Sequence, residues 1–200
     1  MVEDSGPAPG GRRPTAAPAV STARPPHRLR WLACTRRGSS EEVRQGRLDA
    51  ALVGLPEADL AGLAVLRVET RPFVALLPSA HRLAARRAVR LADLDGESFI
   101  DLPRGFGNRV VLDRAFDALG APRRVTVEVA DRRTVAGYVR AGLGVAVVPD
   151  TPAPDEPDVT VLPLAGAGLD WPLNLITASA KPPSRALRTL LDLIAGTDDI

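Results

Sequence analysis

Residues 102–109 combine two glycines and two arginines between an apolar stretch and a helix-like one. The segment reads Leu102, Pro103, Arg104, Gly105, Phe106, Gly107, Asn108 and Arg109. Free amides at a helix start attract anions, and guanidiniums beside them suit a carboxylate. Gly105 and Gly107 let the backbone approach a ligand closely. The segment is not a phosphate loop, because GxxxxGK[ST] is missing, and not a dinucleotide fingerprint, because the third glycine is missing. The alternative is an ordinary strand–helix loop with solvated arginines.

A second cluster, Asp131, Arg132, Arg133 and Thr134, precedes a short helical stretch. Asp131 or Thr134 can cap that helix, and its first amides would face the same strand-end rim as the first loop. Capping alone is the alternative. Catalysis has little support. Ser79 and His81 lie close together, but no G-x-S-x-G elbow frames a nucleophile. No HxxxH, HExxH or acidic calcium-loop spacing points to a metal, and nothing calls for a cofactor. No acid/base or nucleophile constellation is visible, so an enzyme is the least favoured reading.

The elements that would position these clusters alternate between strand and helix. A short helix is expected from Ser39 or Ser40, capped there and ended by Gly46. Strands are expected at 48–53, 63–68, 72–77, 98–102, 124–130, 145–148, 159–164 and 173–178. In the helix expected at 108–119, Val111, Leu112, Ala115, Phe116 and Leu119 share one face, with Gly120 as its C-cap. Further helices are expected at 133–141 and 184–195, with a helical turn at 91–94. Strands alternating with helices over short connections indicate an α/β class.

The chain has 200 residues and a formal charge of +2. Residues 1–37 carry +5 from seven arginines, and residues 38–200 carry −3. The folded part is therefore not basic, and the pI of 9.3 is weak support for nucleic-acid binding. Six prolines in residues 1–37 and little to bury there predict a disordered tail through about residue 37. Cys34 is the single cysteine, so no intrachain disulfide forms. Arg12-Arg13 is followed by no apolar export segment, and no run of about eighteen apolar residues occurs. A cytoplasmic protein is expected, with no membrane partner.

The run Gly46-Arg47-Leu48-Asp49-Ala50-Ala51-Leu52-Val53 resembles a signature of LysR-type effector domains. The sequel keeps that family's order. Leu76-Leu77-Pro78-Ser79-Ala80-His81-Arg82-Leu83-Ala84 resembles its hinge motif, with Arg82 where the family has proline. Leu91-Ala92-Asp93-Leu94 and the run from Val139 to Pro149 resemble two more of its motifs. The match covers about residues 38–196. It implies an α/β fold of the type II periplasmic-binding-protein kind, with two lobes and a small effector in the cleft between them. Lobe I would comprise about 38–78 and 165–200, and lobe II about 79–164. The chain would cross first near residues 77–79 and return near 164–173. Family effector contacts match residues 102–109 and 129–134 and the hinge strand at 76–78, which adds Pro78 to the candidate site.

A winged helix-turn-helix is missing from the pattern, as is the strand–helix–strand that should open lobe I. The expectation is a truncated effector-sensing domain of a transcription regulator, with an incomplete first lobe. Such a chain would not bind DNA specifically by itself. Its partners would be a small effector, a carboxylate by preference, and a second regulator chain in a homo- or hetero-dimer. The alternatives are a solute-binding protein of the same fold and a DNA-binding-deficient partner of a full-length regulator.

Overall fold

The computed structural model describes residues 29–33, 38–151, 156–166, 168–180 and 182–195. Most of the tail expected to be disordered lies outside these residues. The exception is Trp31–Ala33, which forms strand β1 and pairs in parallel with β2, Ala50–Val53. Helix α1, Gly38–Arg44, lies between them in sequence. The strand–helix–strand opening missing from the sequence pattern is thus present. Its physical basis is local: every proline of the tail precedes Trp31, so no ring removes a donor from the pairing. Arg30 extends the junction, its N–H donating to Asp49 Oδ2 at 2.8 Å and its carbonyl accepting from Asp49 N at 2.7 Å.

Strand β3, Leu63–Pro78, runs through both halves of the molecule. The sequence predicts two strands here, because Glu69, Thr70 and Arg71 interrupt the apolar pattern. These three instead lie just before the crossing between halves, still paired with β8. Before the crossing β3 pairs with β8, Asp170–Ala178, from Leu63↔Ala178 to Pro72↔Asp170. Beyond it β3 pairs with β6, Ala146–Pro149, and with β7, Val159–Pro163. The first crossing therefore lies at Pro72 and Phe73, not at 77–79. Proline is tolerated there because the ladder changes partners at that point.

The first lobe has the strand order β1-β2-β8-β3. Alternation along β2 sends Ala51 and Val53 toward Val43 of α1. Ala50 and Leu52 point the other way, toward Leu187 of α4, Arg185–Ala195. This lobe, expected to be incomplete, has helices on both faces of a four-stranded sheet.

The second lobe repeats the plan. Strands β4, Ser98–Asp101, and β5, Arg124–Glu128, are parallel, and a Phe99–Val145 bridge joins them to β6. Phe73, Ala75 and Leu77 of β3 face α2, Gly107–Ala118, through Leu112 and Phe116. Val74 and Leu76 face α3, Val135–Arg140, through Val135 and Val139. Gly120 ends α2 with φ +64°, as its position in the sequence predicts.

Candidate functional site

Strands β4, β5 and β6 run in parallel, so the loops that leave their C-terminal ends emerge on one edge of the lobe II sheet. Those loops begin at Leu102, Val129 and Asp150. Asp101 pairs with Glu128, and Val129 N–H donates to Asp101 O at 2.9 Å, which keeps the first two loops side by side. The antiparallel register of β3 on β6 sets Phe73 opposite Pro149 on the same edge. Pro78 lies five residues further along, opposite Val159, roughly 16 Å away at strand rise. Pro78 itself does not line the cavity beside this edge, although its ladder partner Val159 does.

The loop 102–109 is built from within. Asp101 Oδ1 accepts from Leu102 N–H at 2.7 Å and from the buried Asn108 Nδ2 at 3.4 Å. Arg109 has a side chain only 5% exposed. Its Nε donates to Asp113 at 3.0 Å, and its terminal nitrogen donates to Leu102 O at 3.1 Å and to Glu128 at 3.2 Å. Arg123 completes the cluster by pairing with both Asp101 and Asp113. Its guanidinium lies 5.5 Å from the Phe99 ring and 5.4 Å from the Phe116 ring. Burial raises the Asp101 carboxyl above its ordinary range, and Arg123 opposes that rise. Arg109 is thus a staple between the two ends of the loop, not a cation free for a ligand. The sequence suggests a carboxylate clamp here; instead its i,i+4 acid and the acid at the end of β5 draw Arg109 inward.

The rest of the loop divides. Arg104 is exposed and Gly105 turns at φ +91° with open space around it. Pro103 is half-buried, Phe106 packs on the α3-side core and Leu102 belongs to it. Gly107 abuts the backbone of Gly54, just past β2 in lobe I.

The second cluster opens onto space. A cavity of about 810 Å³ lies beside it, floored by Val74, Leu76 and Val148 with Ala136. Arg71, Arg132 and Arg133 line one side, and Asp150, Thr151, Glu156 and Asp158 line the other, with Glu156 already paired to Arg140. None of residues 102–109 lines it. Arg133 is committed to Asp131 at 3.0 Å. That side-chain bond, with a second from Arg133 N–H, lowers the Asp131 carboxyl. Thr134 donates its hydroxyl back to Asp131 O at 2.8 Å. Arg71 pairs with Glu69. Arg132 is half-buried and pairs with no carboxylate among the described residues; burial lowers its pKa, with Asp131 opposing. Thr151 Oγ1 is buried with no hydrogen-bond partner among the described residues. The cavity thus combines an apolar floor with acidic side chains, a cation without an ion-pair partner and a hydroxyl without a hydrogen-bond partner, the last two among the described residues. The sequence pattern did not reveal Arg71, Val74, Val148 or Thr151, because their facing depends on where β3 crosses. Among the described residues no group of three metal-ligating side chains occurs, and no helix is long and apolar enough to cross a membrane.

A family model described as LysR substrate binding domain matches residues 11–198. The transcriptional dual regulator GltC of Bacillus subtilis is 34% identical over 150 residues, which cover 74% of this chain and 48% of GltC. A probable hydrogen peroxide-inducible genes activator of Mycobacterium avium is 30% identical, over 90% of this chain and 59% of that protein. The chain spans about half the length of the curated relatives it matches. The effector binding domain of QuiR in complex with shikimate superposes with a TM-score of 0.72 at 18% identity, covering 82% of this chain and 79% of that one.

Proposed function

The chain belongs to the LysR substrate-binding domain family, and from that premise we propose that its 810 Å³ cavity receives a small carboxylate effector. The family's role is regulatory, and no reaction is assigned to this chain. In our reading the ligand's carboxylate takes a charge-assisted hydrogen bond from Arg132. Thr151 Oγ1 supplies a second bond, and the ligand's apolar body rests on Val74, Leu76 and Val148.

One observation carries this reading. Arg132 is a half-buried guanidinium without an ion-pair partner among the described residues, and it lines a cavity with an apolar floor. A buried polar group without a partner is costly, and a ligand that satisfies it recovers that cost. A hydrogen bond to a charged group contributes about 1.5–3 kcal/mol, equivalent to roughly 10- to 150-fold in affinity. The shikimate complex of QuiR is consistent with a carboxylate ligand on this fold.

The cavity also reaches the crossing of β3. Arg71 lies just before that crossing, whereas Arg132 belongs to lobe II. A ligand that touches both favours one interlobe angle over others, which is how binding shifts a conformational population. We read the place of action as the cytoplasm, where transcription is regulated. DNA discrimination is not assigned to these residues; contact with DNA would be weak and salt-sensitive. Thermal-shift screening of aromatic and alicyclic carboxylates tests the site. Parent protein should be stabilised by at least one member, and Arg132→Gln should abolish that shift.

A further inference from the structure

We infer that helix α2 is a latch that fixes the angle between the lobes. The backbone joins them at two places only among the described residues, the crossing of β3 and the stretch between β7 and β8. Two such connections leave a hinge free to turn. Helix α2 belongs to lobe II by its core contacts, since Leu112 and Phe116 pack with Phe73 and Val147. Yet three of its residues reach lobe I.

Gly107 lies against the Gly54 backbone, and a Cβ on Gly107 would overlap Gly54 O. One turn on, Val110 packs against the lobe I cluster of Val43, Val53 and Leu60. Another turn on, Arg114 makes a bidentate pair with Asp59 at 2.8 and 2.7 Å. The spacing is i, i+3, i+7, a single stripe along the helix. Asp59 is nearly enclosed at 12% exposure, which favours a defined geometry over a loose surface pair. The opposite side of Gly54 is closed too, because a Cβ there would overlap the Trp171 indole of β8.

The stripe therefore contains a close backbone contact, an apolar contact and a two-pronged ion pair, all across the same gap. The close approach of Gly107 to Gly54 needs glycine at both positions. Releasing Arg114 frees the outer end of the stripe, and a side chain at residue 107 wedges the inner end. This inference stands whether or not the cavity binds a carboxylate, because the latch uses none of the cavity's lining residues.

The test is an interlobe distance in the ligand-free chain. Arg47→Cys in lobe I and Arg124→Cys in lobe II are exposed label sites, placed in a Cys34→Ser background. Pulsed electron-spin spectroscopy then reads the distance distribution, and circular dichroism checks the fold. The doubly labelled parent should give one narrow distribution. Adding Arg114→Ala should broaden and lengthen it, and Gly107→Val should do so further. Arg114→Ala truncates a half-exposed side chain, so it keeps the test open if Gly107→Val fails to fold. A folded Arg114→Ala protein with the parent's distribution would overturn the latch.

Discussion

Arg123 and Asp101 form an ion pair almost wholly withdrawn from solvent, with side chains 3% and 2% exposed. Arg109 approaches the same carboxylate at 3.7 Å, and Asp113 serves both arginines from the more exposed side. Two buried cations thus depend on Asp101. Without Asp101 the two guanidiniums keep only Asp113 and Glu128, both more exposed. Asp101→Asn should destabilise the protein by about 3–5 kcal/mol in urea unfolding. Asp113→Asn, at a 38% exposed side chain, should cost clearly less.

The α2 face of lobe II should respond to truncation as a packed core does. Phe99 and Phe116 meet edge to face, with centroids 5.3 Å apart and planes at 79°. Phe116→Ala removes a fully buried ring and that pairing, and should cost about 3–5 kcal/mol. Leu119→Ala, at a residue 53% exposed, should change stability by no more than about 0.5 kcal/mol. Thermal or denaturant melts of the two variants check the contrast.

Gly107→Ala tests the close contact between the lobes. The added methyl has no room against Gly54 O, and backbone cannot swing aside as a side chain can. A cost of about 1–3 kcal/mol is expected. Gly105→Ala fails for a different reason, its φ of +91°, because the space around it is open. Gly105→Asn should accordingly be milder than Gly105→Ala, since asparagine tolerates left-handed backbone better.

Asp131 gives a pH test with a definite sign. Its carboxyl titrates lower in the fold than its ordinary 3.8, because Arg133 donates to it from side chain and backbone. Its stabilisation is therefore present above that ordinary value and is lost as pH falls through the lowered one. Asp131→Asn should therefore lower stability at neutral pH, cost little at low pH, and so flatten the acid limb below about pH 4. Denaturant melts at pH 6 and pH 3 would show it.

Much of this was legible in the residues. The run Val111, Leu112, Phe116 and Gly120 marks α2 and its end to within a residue. The apolar run before Pro149 marks β6. What escaped are features set by long-range pairing. Nothing local indicates that Leu63 to Pro78 is one strand, because its partners lie beyond residue 145. The hinge strand at 76–78 was legible through the resemblance, but Val74 and Val148, which share the cavity floor with Leu76, were not. A three-residue strand such as Trp31–Ala33 has too few side chains to show a period. Arg109 carried a readable hint in Asp113 four residues on, but Glu128 and Arg123 join it only in the fold. The cluster at Asp131 to Thr134 was legible as a cap, and the fold adds that Arg132 is the member left over.

The decisive measurement compares Arg132→Gln with Arg109→Ala by titration calorimetry and thermal unfolding, using whichever aromatic or alicyclic carboxylate most stabilises the parent. Arg132→Gln should keep the parent's melting temperature and weaken binding roughly 10- to 150-fold. Arg109→Ala should lower the melting temperature sharply, because it leaves Asp113 and Glu128 without their shared cation. Parent-like affinity in Arg132→Gln, or a carboxylate panel to which the parent does not respond, would contradict the assignment of this cavity.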